Sequence, residues 1–223
     1  MQNIKGKIIV IDGLDGCGKT TQAEALLKKL KEINEKVILI SYPDYEKNSS
    51  ALVKMYLNGE FSENLDDVNA YTASTFYAVD RYAGYKTYWQ KFYEQGYIVI
   101  ASRYVTSNFI HQTVKLPKDK WDEFLNWATD FEYEKLTLPK PDKVIFLDVP
   151  RKIANDLLTK RYDGDNTKKD IHESNLTYLE KCQETAHYCA EKFNWEIVNC
   201  TQNQKMLPIE EITTKIFQIV TNI

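Results

Sequence analysis

The chain has 223 residues, 43% hydrophobic and 27% charged, with a formal net charge of −3. That is ordinary for a soluble globular protein with one large α/β core or two small domains. The acidic balance leaves no basic excess to neutralise a nucleic-acid backbone. No apolar run approaches the roughly 20 residues of a membrane span, and no long apolar h-region opens the chain.

Lys7-Ile8-Ile9-Val10-Ile11 is an apolar run short enough for a buried strand, and from Thr21 onward Ala23, Leu26, Leu27, Leu30 and Ile33 repeat at helical spacing. Between them stands Gly13-Leu14-Asp15-Gly16-Cys17-Gly18-Lys19-Thr20, the G-x-x-x-x-G-K-[ST] pattern of a phosphate-binding loop, in the strand–turn–helix setting that the pattern requires. Residues lacking Cβ at 13, 16 and 18 let successive N–H groups curl toward phosphate oxygens, and the helix N-terminus behind them favours anions. The loop from Gly13 through Leu14, Asp15, Gly16, Cys17, Gly18, Lys19, Thr20 and Thr21 is therefore read as a nucleoside-triphosphate-binding segment. Lys19 reaches the β/γ-phosphates, and Thr20 offers its hydroxyl to Mg²⁺. Cys17 lies inside the loop, where oxidation would block nucleotide entry.

Four further β-branched runs, Val37–Ile40, Tyr97–Ala101, Val144–Leu147 and Glu196–Val198, alternate with helical patterns. The expected fold is α/β: a five-stranded parallel sheet with helices on both faces, of the P-loop NTPase class, in one domain spanning 1–223. Ligands of such sheets sit beyond the carboxyl ends of the strands. A proline-containing loop, Ser41-Tyr42-Pro43-Asp44-Tyr45, follows the second strand. The stretch from Asp66 to about Gln95 reads as one long helix, bent near Gly84 and dense in aromatic residues. Most of those rings are expected in the core or on a partner-helix face. Trp121, Phe124, Leu125 and Ala128 mark a later amphipathic helix, and Leu138-Pro139-Lys140-Pro141-Asp142 is a rigid turn into the fourth strand.

A helix from the end of that strand runs to about Lys160. The polar stretch beginning Arg161-Tyr162-Asp163-Gly164-Asp165 then breaks every periodicity, which suits either a mobile lid at about 161–171 or an ordinary solvated loop. Leu176, Leu179, Cys182, Ala186, Ala190 and Phe193 trace the next helix; Ile209, Ile212, Ile216 and Ile219 trace the last, opened by Pro208. The four cysteines lack metal-ligand spacing, and Cys182 and Cys189 sit on one helix face as small buried hydrophobes. A reducing cytoplasm fits.

Taken together, these motifs resemble the thymidylate kinase family, which moves the ATP γ-phosphoryl group to dTMP to give dTDP. The resemblance rests on Ile11–Gln22, on Phe76-Tyr77-Ala78-Val79-Asp80-Arg81, and on Arg103-Tyr104 with Ser107-Asn108. It is extended by Leu138–Asp142 and by Asp170-Ile171-His172-Glu173, so that the matches run in family order over nearly the whole chain. The resemblance implies that Asp15 accepts the 3′-hydroxyl of dTMP, that Tyr77 stacks on thymine and that Arg81, one helical turn later, hydrogen-bonds the base. It implies further that Asn108 reads another base edge, that Arg103 holds the dTMP phosphate and that Ser107 is among the dTMP-binding residues. His111 takes the position that crowds a ribose 2′-hydroxyl, or is a satisfied helix histidine. A homodimer is implied as well, and the aromatic excess of the 66–95 helix is compatible with it.

The chain departs from the family in places. Ser102 precedes the Arg-Tyr pair where an acidic residue is usual, leaving Asp12, Asp148 and, by analogy, Glu173 as candidates to help position Mg²⁺. Asp44 and Tyr45 stand where an arginine is common, and so does Ile171. The phosphate loop offers no base beyond Lys19, so the second cation for the transferring phosphoryl group is assigned to the lid: Arg161, also able to stack on adenine, with Lys168 or Lys169. The competing readings are another nucleoside or nucleotide kinase on the same loop, and a nucleotide-dependent switch, against which stands the lack of an N-K-x-D stretch.

Overall fold

The structure, a computed structural model, describes residues 5–62, 64–161, 165 and 176–221; Lys168, Lys169 and Glu173 lie outside them. In chain order the elements are β1 (Lys7–Gly13), α1 (Lys19–Lys31), β2 (Val37–Ser41), α2 (Ala51–Leu57), α3 (Ala70–Gly84), α4 (Gln90–Glu94), β3 (Ile98–Ser102) and α5 (Val105–Thr113). They continue through α6 (Trp121–Thr129), β4 (Lys143–Asp148), α7 (Arg151–Arg161), α8 (Leu176–Lys192), β5 (Glu196–Asn199), the short strands β6 (Thr201–Gln202) and β7 (Lys205–Met206), and α9 (Ile209–Val220).

The five main strands form one sheet in the order β2-β3-β1-β4-β5, every pairing parallel, as the alternation of strand and helix patterns predicts. Strand periodicity divides the interior into two cores. Ile8, Val10, Val99, Ala101, Val144 and Phe146 face α3, α5, α6 and α8 on one side of the sheet. Ile9, Ile11, Ile100, Ile145, Leu147 and Val198 face α1 and α9 on the other. Cys182 and Cys189 are fully buried in the first of these cores, as their spacing suggests. Among the described residues no helix is long and apolar enough to cross a membrane.

Register places the site. Ile11 pairs with Ser102, and Ser102 with Ser41, so β1, β3 and β2 end on one edge of the sheet. The chain passes from β3 to β4 across β1, and that crossing is the topological switch point where such sheets bind ligands.

Two expectations need correction. The stretch after Asp66 is not one continuous helix. α3 starts at Ala70, where the Asn69 side chain caps the backbone N–H of Thr72 at 2.8 Å, and a π turn (Tyr85–Trp89) separates it from α4. The break comes directly after Gly84, where a Cβ would stand 2.5 Å from the Tyr42 hydroxyl. That hydroxyl donates to the Arg81 carbonyl at 3.2 Å and accepts from the Trp89 indole at 2.8 Å, so Gly84 admits the ring that ties β2 to both sides of the bend. The β6–β7 hairpin was also not anticipated. Asn203 and Gln204 turn it with φ of 49° and 60°, and without a glycine the usual hairpin signal is absent.

Candidate active site

The phosphate loop runs from β1 into α1 with Gly16 at φ 83° and Gly18 at φ 88°. A Cβ at Gly16 would lie 2.3 Å from the Ala154 carbonyl oxygen and 2.9 Å from a Leu158 side-chain carbon, so α7 packs directly on the loop only because residue 16 has no side chain. The Lys19 ammonium donates to the carbonyls of Gly13 (2.9 Å) and Leu14 (2.8 Å) and lies 3.8 Å from the Asp15 carboxylate. Thr20 and Thr21 are exposed at the start of α1. Cys17 is 2% exposed, and burial pushes its thiol pKa up, so it is a poor target for the oxidation that its position suggested.

Beside the loop lies a cavity of about 970 Å³. Asp15, Gly16, Gly18, Lys19, Thr20 and Thr21 line it from the loop, while Tyr77 and Arg81 line it from α3. Arg103, Ser107, Asn108 and His111 complete it from the segment after β3. The residues singled out in the Phe76–Arg81 segment (Tyr77 and Arg81) and after the third strand thus meet most of the loop at one site, whereas Gly13, Leu14 and Cys17 do not line it, Leu14 and Cys17 being buried.

Arg103 is the first residue after β3 and sits at φ 67°, a left-handed conformation uncommon for a residue with a side chain and found preferentially at functional positions. Its guanidinium pairs with the Asp15 carboxylate. It also lies 3.4 Å from the Ser107 hydroxyl and 3.3 Å from His111 Nε2. Arginine can only donate, so the imidazole accepts through Nε2 and carries its proton on Nδ1, which faces Cys182 Sγ at 3.7 Å. Burial, and then the neighbouring Arg103 charge, lower the His111 pKa to about 4 and keep the ring neutral. Tyr104 is fully buried and donates its hydroxyl to the Pro139 carbonyl at 3.0 Å, which links the Arg-Tyr pair to the turn before β4.

Asp12 is fully buried and spent on local bonds. It accepts from Thr106 Oγ1 at 2.5 Å, from the Ser107 hydroxyl at 2.9 Å and from the Gly13 N–H at 2.9 Å. It ties α5 to the loop rather than offering free oxygens to a metal. Asp148 is engaged by Gln183 (3.4 Å) and His187 (3.4 Å) on α8, and neither aspartate lines the cavity. Asp80 organises the loop after β2, accepting from the Asp44 N–H at 2.9 Å and the Ser49 hydroxyl at 2.6 Å.

Glu132 escaped the sequence reading. It is 1% exposed, in a π turn (Asp130–Lys135) that continues α6, and both its oxygens receive the Arg81 guanidinium, Nε and Nη2, at 2.6 Å. The signal was present: Trp121, Phe124, Leu125 and Ala128 form the buried stripe of α6, and one further step of four lands on a glutamate. A carboxylate on a buried stripe demands a cationic partner.

An α/β sheet of this order with a phosphate loop at its switch point defines a P-loop kinase-like protein. The family model described as thymidylate kinase matches residues 11–216. The chain is 30% identical over 151 residues to the thymidylate kinase of Mycobacterium tuberculosis, covering 67% of this chain and 69% of that one. It is 26% identical to the thymidylate kinase of Danio rerio, covering 98% of this chain and 92% of the relative. A solved structure of thymidylate kinase from Candida albicans superposes with a TM-score of 0.70 at 22% identity, over 98% of this chain and 92% of the other, a likeness of fold. The chain belongs to the thymidylate kinase family.

Proposed function

We propose that the protein transfers the γ-phosphoryl group of ATP to dTMP, releasing ADP and dTDP, and that the cavity beside the phosphate loop is where the two substrates meet. The observation that carries this reading is the convergence of Lys19, Arg103 and the Tyr77–Arg81–Asn108 group on one cavity. Lys19 and the loop N–H groups hold the donor's β/γ-phosphates, and the Arg103 fork holds the acceptor phosphate whose oxygen attacks the γ-phosphorus. Asp15, next to Arg103, accepts the 3′-hydroxyl.

Tyr77 stacks on the pyrimidine. Arg81 Nη1 donates and Asn108 Oδ1 accepts, a pair complementary to the O4 acceptor and N3–H donor of thymine. Cytosine presents the opposite pattern at both atoms.

The exposed Thr20 hydroxyl on the cavity wall suits Mg²⁺, a hard ion that takes oxygen ligands from one or two side chains and otherwise from phosphates and water. When bound, Mg²⁺ would neutralise charge on the β- and γ-phosphates; Thr20, and Glu173 by analogy, would be the residues that hold it. The four cysteines are free thiols, consistent with a reducing, cytoplasmic setting. α3 exposes Val79 (49%) and Tyr82 (39%), an outward apolar pair that supports a homodimer through this helix; light scattering at working concentration would show a strictly monomeric mass if that is incorrect.

The direct test is ADP release in a coupled assay with each nucleoside monophosphate in turn. Release should depend on dTMP, and Lys19→Ala should abolish it while circular dichroism and thermal unfolding remain parental. Near-parental turnover in folded Lys19→Ala would remove the phosphate loop from the mechanism.

A further inference from the structure

We infer that Glu132 is a specificity-determining positioning residue: through one carboxylate it fixes which end of the Asn108 amide and which nitrogen of Arg81 meet the base, and so makes the site select a 4-oxo over a 4-amino pyrimidine. The inference rests on the assignment of Arg81 and Asn108 to the base.

The bonding is closed on one side. Arg81 gives Nε and Nη2 to the two Glu132 oxygens, both at 2.6 Å, in a bidentate pair buried to 1–2% exposure. Nη1 is left with one long contact, to the Tyr104 carbonyl at 3.5 Å, while Arg81 lines the cavity. Burial alone would lower the Arg81 pKa, but Glu132 outweighs it and the guanidinium stays charged.

Asn108 gives Nδ2 to Glu132 Oε1 at 2.9 Å and to the Ser74 carbonyl at 3.2 Å. A carboxylate and a backbone carbonyl can only accept, so neither tolerates the amide oxygen in that place. The amide is locked with its NH₂ inward, and Oδ1 is the end left for the cavity that Asn108 lines. A flipped amide would set an oxygen against two acceptors and present NH₂ to the base, which is the arrangement that suits cytosine. Glu132 thus opposes that flip and at the same time neutralises a guanidinium fully withdrawn from water. A carboxylate with two oxygens serves both neighbours; a carboxamide has one acceptor and one donor and cannot.

The experiment uses Glu132→Gln, Arg81→Ala and the parent, with kcat/KM measured for dTMP, dUMP and dCMP at saturating ATP. In Glu132→Gln the nearer of the two acceptors that oppose the flip becomes a group able to donate to a flipped Asn108, leaving only the longer Ser74 contact against it. The preference for dTMP over dCMP should therefore fall about tenfold or more, while the KM for ATP stays parental. A purely structural role would lower all three substrates together. A folded Glu132→Gln protein with an unchanged dTMP-to-dCMP ratio overturns the inference. If Arg81→Ala also leaves the KM for dTMP unchanged, the base site itself has been misassigned; if Arg81→Ala weakens dTMP and only the ratio in Glu132→Gln is unmoved, the base site stands and the role of Glu132 falls. Should Glu132→Gln not fold, the parent still decides. The side-chain NH₂ resonances of Asn108, identified by their loss in Asn108→Ala, should exchange slowly with solvent in the free protein, because both protons are held by Glu132 and Ser74. Fast exchange in the free protein would mean that the NH₂ faces the cavity, contrary to the inference.

Discussion

Asp15 in the phosphate loop and Arg103 after β3 form an ion pair that joins the loop to the segment after β3 at the cavity. The carboxylate lies among groups built to attract phosphate, and its electrostatic cost there is offset by the guanidinium it holds. Burial disfavours the Arg103 charge, but Asp15 and then Asp12 hold its pKa above the ordinary arginine value. An arriving phosphomonoester can therefore compete with Asp15 for a guanidinium already oriented. Arg103→Lys keeps a charge but not the planar fork, and is expected to lower kcat/KM for dTMP by about 10- to 100-fold, the scale of a lost charge-assisted hydrogen bond. The KM for ATP should change little. Parental kinetics for dTMP in Arg103→Lys would remove Arg103 from the acceptor site.

Tyr77 is half-buried on the cavity wall, its ring edge-on to Tyr56 with centroids 6.4 Å apart. Tyr77→Ala should weaken dTMP binding by about 1–3 kcal/mol, the range for one stacked base, measured by calorimetric titration. Tyr77→Phe should bind within a few fold of the parent, because the stacking surface is kept. Equal binding by parent and Tyr77→Ala would place the base elsewhere.

His111 gives the fold a specific acid sensitivity. Its pKa is about 4 in the folded protein, against about 6.5 for an ordinary histidine. Between those values the unfolded chain takes up a proton that the folded chain does not, so stability falls as pH drops from 6.5 toward 4. The effect is on the order of 3 kcal/mol across that window. Above pH 6.5 both states are neutral at this site and the contribution vanishes. Urea unfolding of the parent and of His111→Phe at several pH values isolates it, since other acid-sensitive groups are common to both proteins. Equal pH slopes in the two proteins would mean that His111 titrates normally.

The legible parts of the fold were those written in period and punctuation. Five apolar runs gave five strands, and the glycine-rich pattern marked the loop in which Gly16 sits where a Cβ would strike α7. Less legible were features set by contacts distant in sequence. Gly84 reads as a bend, but the Tyr42 ring that packs on it and bonds to both sides of the bend comes from 42 positions earlier. Arg81 and Asn108 were assigned to the base separately, whereas Glu132 links them through contacts 51 and 24 residues apart. Ser107 is expected among the dTMP-binding residues, yet its hydroxyl also binds Asp12, a bond that no local pattern encodes.

The source of the second cation follows from what the cavity's basic residues already do. Among the described residues, the lysines and arginines lining it are Lys19, Lys54, Arg81 and Arg103. Lys19 belongs to the loop, Arg81 is bound to Glu132, and Arg103 is paired with Asp15. Lys54 donates to the Tyr45 carbonyl at 3.2 Å, by the loop after β2. α7 packs on the loop at Gly16 through Ala154 and Leu158, and Leu157 and Leu158 line the cavity. Arg161, the last residue of α7, follows Leu157 and Leu158 in the chain by four and three positions. Lys168 and Lys169 follow beyond the described residues. The expectation is that Arg161 meets charge developing on the transferring phosphoryl group, with at least one of the two lysines assisting. Removing a group that acts only in the transition state lowers kcat itself, whereas removing one that merely binds ATP raises KM. Arg161→Ala is therefore expected to lower kcat at saturating ATP and dTMP by about 10²-fold, the usual scale for one such donor, and Lys168→Ala/Lys169→Ala to lower it less. If both variants retain parental kcat, the charge is supplied from elsewhere, and Lys54, which already lines the cavity, is the next residue to remove.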